Sequence, residues 1–186
     1  MKKLEIGGGE HPLEGYEQMN AAWGLKPLLF DSNIFDEIYS SHCIEHVPWF
    51  QIPDAISEAY RILKPGGFLE IHTVNFNYLV QCYLQGNAGD KWNARGHNPE
   101  MDAFKWINSR IFSVGPDDNW HKAVLTKPYL EKLFTDAGFT NLKHLKEPRG
   151  AQKHGPISFG IKGTKQVVGS KTEHTSEERK CKKNTI

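Results

Sequence analysis

The sequence predicts an α/β fold with a mostly parallel sheet, and three observations carry that reading. An apolar run, Leu4-Glu5-Ile6, stops at the glycine turn Gly7-Gly8-Gly9. Two β-rich runs, Phe35 to Ser40 and Phe68 to Val74, flank a helical stripe, which is the spacing of one strand–helix–strand crossover. Near the end, Asn141 to Leu145 and Ile157 to Ile161 are strand candidates joined by a Pro/Gly-rich connection suited to an antiparallel return.

Taken in order, the first strand ends where glycine lets the backbone adopt angles closed to other residues and aim successive N–H groups into one concavity. Gly9 to Glu17 is too short for an ordinary crossover helix, so a loop or single turn is expected there. After Phe35 to Ser40, Pro53 suits the first turn of a helix whose stripe is Ile52, Ala55, Ile56, Ala59 and Leu63. Lys64-Pro65-Gly66-Gly67 should break that helix before the strand Phe68 to Val74. Leu79, Cys82 and Tyr83 mark a short helix, and Met101, Phe104, Ile107 and Ile111 another, with a polar loop over Gly86 to Pro99. A last helix from about Pro128 turns Leu130, Leu133, Phe134 and Ala137 inward and ends at Gly138.

Composition narrows the function classes. The 186 residues suit one domain, here 1–163, followed by a polar, mildly basic tail over 164–186 with the composition of a disordered segment. Twenty-three basic against 22 acidic residues give a net charge of +1, so nucleic acid is not indicated as a partner by charge. Cys43, Cys82 and Cys181 form no CxxC pair and are odd in number, which argues against a disulfide framework and fits a reducing cytoplasm. The basic start Met1-Lys2-Lys3 is followed by Leu4-Glu5-Ile6 and glycines rather than a secretory apolar core, and no run is long enough to span a membrane.

These residues resemble small class I S-adenosylmethionine-dependent methyltransferases. The resemblance rests on Leu4-Glu5-Ile6-Gly7-Gly8-Gly9, Gly15-Tyr16, the block from Phe35 through Ile44-Glu45-His46-Val47, and Leu63-Lys64-Pro65-Gly66-Gly67. It implies a Rossmann-like sheet with helices on both faces and S-adenosyl-L-methionine across the carboxyl ends of the first, second and fourth strands of the family's count. Gly7, Gly8 and Gly9 would approach the methionine end, Glu5 would orient the turn and the ligand's ammonium, and Ser41 and His42 would face the cofactor beside the methyl donor. Asn20 falls where the family carries an acid for the ribose diol, a change worth about 1 kcal/mol of charge assistance. The stretch from Asn20 to Phe35 lacks room for the usual third strand, so the region between the second and third strands is shortened.

For an oxygen or nitrogen acceptor, His42, His46 and His121 are the candidate bases, with Glu45 beside them. Each has a structural alternative. Glu45 and His46 would equally order the loop before Pro48-Trp49 and cap the next helix, and His121 suits a capped turn. Trp92, Phe104, Trp106 and Phe112 fit either an acceptor cleft or core packing. His42 and His46 are four apart without an HExxH pattern, so no metal is expected. Glu10-His11-Pro12 after the glycines lacks the third glycine of a dinucleotide fingerprint, which disfavours a nicotinamide enzyme. The reading is therefore a methyltransferase of an unidentified acceptor, the alternative being a non-catalytic binding protein with an eroded cofactor site.

Overall fold

The computed structural model describes residues 1–9, 11–19, 23, 28–86, 92–93, 96–97, 102–113, 120–150 and 154–167. Its strands are β1 (Lys3–Ile6), β2 (Glu17–Met19), β3 (Phe35–Ser41), β4 (Leu63–Val74), the two-residue pair β5 (Trp92–Asn93) and β6 (Gly96–His97), β7 (Phe139–Leu145) and β8 (Ser158–Lys165). Helices are α1 (Ile52–Ile62), α2 (Phe76–Leu84), α3 (Ala103–Phe112) and α4 (Lys127–Asp136). Six strands form one sheet in the order β2-β1-β3-β4-β8-β7, parallel from β2 to β4, with β8 antiparallel to both β4 and β7.

Alternation along the strands divides the sheet into two chemically distinct faces. Leu4, Ile6, Ile38, Leu69, Ile71, Phe159 and Ile161 are buried in one core with Ala55, Ile56 and Ala59 of α1 and Leu130, Leu133 and Phe134 of α4. The other face is polar: Lys3 Nζ lies 3.5 Å from Glu37, Lys162 Nζ lies 3.3 Å from the centre of the Phe68 ring, and Glu70, Tyr39 and His72 stand beside them. Beyond the carboxyl end of β4, α2 and α3 pack on each other through Leu79, Cys82 and Trp106, together with Ile157.

Several boundaries differ from expectation for local reasons. Leu63 leaves the helical stripe and pairs with Phe35, so β4 begins before Lys64-Pro65-Gly66-Gly67, and a register shift between Phe35 and Glu37 absorbs that turn. The expected polar loop over 86–99 contains the paired strands β5 and β6. Trp106, not Phe104, is the core residue of α3, whereas Phe104 and Phe112 are exposed. Tyr83 is likewise exposed on α2. A 3₁₀ turn, Gly155–Ile157, precedes β8, which runs two residues past the boundary expected at 163. Met101, Asn20 and the tail from 168 onward lie outside the described residues.

Candidate functional site

Because β1 to β4 are parallel, their carboxyl ends share one edge of the sheet, where open α/β sheets take ligands. Gly7, with φ +83°, turns the chain out of β1 while its N–H donates to Met19 O of β2 at 2.9 Å. A Cβ on Gly7 would lie 2.6 Å from Cys43 Cβ and 2.7 Å from its Sγ. One on Gly8 would collide with the carboxylate of Glu5 and the amide of Gln18. Gly9, with φ +57°, faces open space.

Glu5 is the strut of this turn. Its Oε2 accepts from Leu13 N–H at 2.6 Å and from Gln18 Nε2 at 2.8 Å, tying the β1–β2 loop to the strand beneath it. Gln18 was not foreseen as part of the site; its alternation with Met19 on a short strand was the available signal. Ser41 is the last residue of β3, and its buried Oγ has no well-formed hydrogen bond. Asn20, expected here as the ribose partner, lies outside the described residues.

Immediately after β3, His42 takes φ +50°, a left-handed backbone that costs a non-glycine residue about 1 kcal/mol and concentrates at functional positions. Both ring nitrogens are engaged: Nδ1 is 3.0 Å from Glu45 Oε1, and Nε2 is 3.2 Å from Ser158 Oγ. The other carboxylate oxygen of Glu45 accepts from Thr73 Oγ1 at 3.0 Å. Burial alone would raise the Glu45 carboxyl, but its hydrogen bond and attraction to His42, with His121 adding to them, hold it down to about 2. A carboxylate at this position makes Nδ1 the protonated nitrogen, which assigns Nε2 as acceptor toward Ser158 O–H.

His46 and His121 form a second pair, with ring centres 4.8 Å apart. His121 Nδ1 donates to Arg110 O and Ile111 O at 3.1 and 3.2 Å, closing the last turn of α3, and His46 Nδ1 meets Trp120 O at 3.3 Å. Burial lowers the His46 imidazole below its ordinary value. The segment following Trp120 is clasped to the same region by Lys122 and Ala123 N–H groups donating to Glu45 O. Glu45 therefore bonds to His42 and Thr73 instead of capping the next helix, and α1 has no side-chain cap at its start. His42 and His46 do not share a helix face, since only His46 belongs to the 3₁₀ turn Ile44–His46. Among the described residues, no group of three or more metal-ligating side chains converges.

Ser158 also borders a groove of about 510 Å³ between α2, the start of α4 and the β7–β8 connection. Asn77, Gln81, Lys127 and Lys146 give it a polar lining, and Phe159 supplies an apolar wall. This groove was missed in the sequence because its residues come from four separated segments.

A mostly parallel sheet with a glycine turn, a strained histidine and a polar groove along one carboxyl edge defines an α/β protein whose candidate site lies at the edge where open α/β sheets take ligands. The chain belongs to the methyltransferase domain family, whose model matches residues 2–144. No curated protein matches it in sequence. Among solved structures, its fold is similar to that of a Thermotoga maritima SAM-dependent methyltransferase described as a possible histamine N-methyltransferase, at 20% identity and TM-score 0.53, covering 89% of this chain and 82% of that one. An Archaeoglobus fulgidus SAM-dependent methyltransferase is similar at 13% identity and TM-score 0.53, covering 88% and 86%. A Methanosarcina mazei SAM-dependent methyltransferase is similar at 20% identity and TM-score 0.50, covering 82% and 67%. The chain spans about half of two longer structural neighbours, 45% and 48% of their lengths.

Proposed function

We propose that this methyltransferase takes its methyl group from S-adenosyl-L-methionine and delivers it to an oxygen or nitrogen acceptor seated in the groove beside Ser158. The observation that carries the reading is the adjacency of two sites on one edge: the glycine turn packed on Cys43, and the His42–Glu45 pair one residue away in sequence. The cleft residues suit the cofactor's methionine end. Gly7 and Gly8 let the turn close onto Cys43, Glu5 and Gln18 and add no side chain between their own backbone and a ligand, and Ser41 Oγ is a buried polar atom with capacity to spare.

When bound, the cofactor supplies a methyl group on a cationic sulfur. Orientation and exclusion of water then do most of the work, since the transfer is an in-line displacement. His42 Nε2 takes the acceptor's proton directly or through Ser158, while Glu45 keeps Nδ1–H fixed and stabilises the resulting imidazolium. His42 would hold the one proton that the acceptor gives up on taking the methyl group, so that charge is balanced without a metal or a second base. Thr73 holds the far oxygen of Glu45, so the carboxylate cannot rotate away. His46 and His121, with Nδ1 committed to backbone carbonyls, serve as ties that hold the Trp120–His121 segment to the turn Ile44–His46 and to the end of α3.

The test is transfer of a labelled methyl group to fractionated cell extract. The His42→Gln variant should lose activity by roughly 100-fold while binding S-adenosylhomocysteine as the parent does. Equal transfer rates for variant and parent would remove His42 from the mechanism. Failure of the parent to bind S-adenosylhomocysteine would support the non-catalytic alternative.

A further inference from the structure

We propose that the end of the β7–β8 connection nearest β7, Lys146 to Gly150, is a gate over the cofactor cleft, latched by Arg149. The proposal rests on the cofactor reading above and adds how access to that site is controlled. The cleft bounded by Glu5, Gly7, Gly8, Ser41, Arg149 and Gly150 has room for about 20 Å³, enough for one water. Ligand sites for molecules of cofactor size need about 300 Å³ or more. Entry therefore requires part of the wall to move.

Most of that wall is fixed. Glu5, Tyr39 and Ser41 are strand residues, Gly7 and Gly8 continue directly from β1, His11 is tied back by its N–H to Gly8 O at 3.2 Å, and Leu13 is held to Glu5 through its N–H. Arg149 and Gly150 alone reach the cleft from the far end of the chain. Gly150, at φ +75°, lies so close to the opposite wall that a Cβ there would sit 3.2 Å from Leu13 Cδ2.

The latch lies on the polar face of the sheet. Arg149 Nε donates to Glu70 Oε1 at 3.1 Å and Nη2 to Glu70 Oε2, while Nη1 reaches Glu37 and Tyr16 Oη. The Arg149 backbone N–H donates to Tyr39 Oη at 2.9 Å. Nearly all donors of the guanidinium are thus spent inside the protein, which leaves this side chain poorly placed to serve as a cofactor ligand and well placed as a clasp. Release is not prohibitive, because each carboxylate keeps a partner when Arg149 leaves: Lys3 lies 3.5 Å from Glu37, and His72 lies 3.0 Å from Glu70.

Two perturbations act in opposite directions. Arg149→Gln weakens the latch, so S-adenosylhomocysteine should bind at least about fivefold tighter and associate faster, because less binding energy goes into opening. Tyr39→Phe releases the backbone tether while keeping the aromatic ring beneath the guanidinium, and should give a smaller gain in the same direction, which covers the case in which Arg149→Gln fails to fold. A Leu13→Cys, Gly150→Cys pair in a Cys43→Ser background should bind at least about tenfold more weakly when oxidised and recover on reduction. Unchanged or weaker binding by Arg149→Gln and Tyr39→Phe, or binding indifferent to the cross-link, overturns the gate. Parent and every variant failing to bind instead overturns the cofactor reading on which the gate rests.

Discussion

At Gly7 two constraints coincide, a left-handed backbone and a thiol where Cβ would stand, and at Gly9 only the first applies. Gly7→Ala should therefore cost about 2 kcal/mol or more and abolish cofactor binding, whereas Gly9→Ala should cost only about 1 kcal/mol of backbone strain. Urea unfolding of the two variants checks the contrast; equal losses would mean that the thiol contact is not limiting. Glu45 gives a second residue-scale test through pH. Its folded carboxyl sits at about 2, below the ordinary value near 4.5, so its stabilisation is complete above pH 4.5 and disappears as pH falls toward 2. By linkage this amounts to a contribution on the order of 3 kcal/mol. Glu45→Gln should flatten that part of the stability–pH curve, and an unaltered acid limb would show that the low carboxyl value lies elsewhere.

Among the elements, the end of β8, an interior strand between β4 and β7, carries more than its short pattern promised. Lys165 Nζ donates to Tyr60 O at 2.7 Å, Leu63 O at 2.8 Å and Asn33 Oδ1 at 2.8 Å, neutralising carbonyls left open where α1 ends. Lys165→Met should lower stability by about 1–2 kcal/mol, and a chain ended after Gly163 should lose more than one ended after Val167. Thermal unfolding of the three proteins decides; no difference would confine the fold to the earlier boundary. The sequence hid this role because Lys165 lies in a run whose polarity reads as tail. It made α4 plain by contrast, since Pro128, the spacing of Leu130, Leu133 and Phe134, and Gly138 agree on one helix. The start of β4 was obscured because Leu63 continues the apolar period of α1 by one position while its backbone is already extended. At the site, the glycine turn and His42 were legible as local motifs, but Arg149 and Ser158 were not. They reach their partners across 112 and 116 residues of chain, a pairing that periodicity does not encode.

For the molecule as a whole, the two-faced sheet separates stability from chemistry. The apolar face, under α1 and α4, holds the fold, while the polar face anchors Arg149 and the carboxyl edge gathers the glycine turn, His42 and the groove. No helix among the described residues is long and apolar enough to cross a membrane. Binding of S-adenosyl-L-methionine at the Gly7–Gly9 edge is tested by titration calorimetry with S-adenosylhomocysteine, run beside NAD. The expected result is saturable binding of one S-adenosylhomocysteine per chain, lost in Gly7→Ala, with a matching gain of about 2.7 kcal/mol in stability at a ligand concentration 100 times Kd. Absence of binding at millimolar ligand, or preference for NAD, would contradict it.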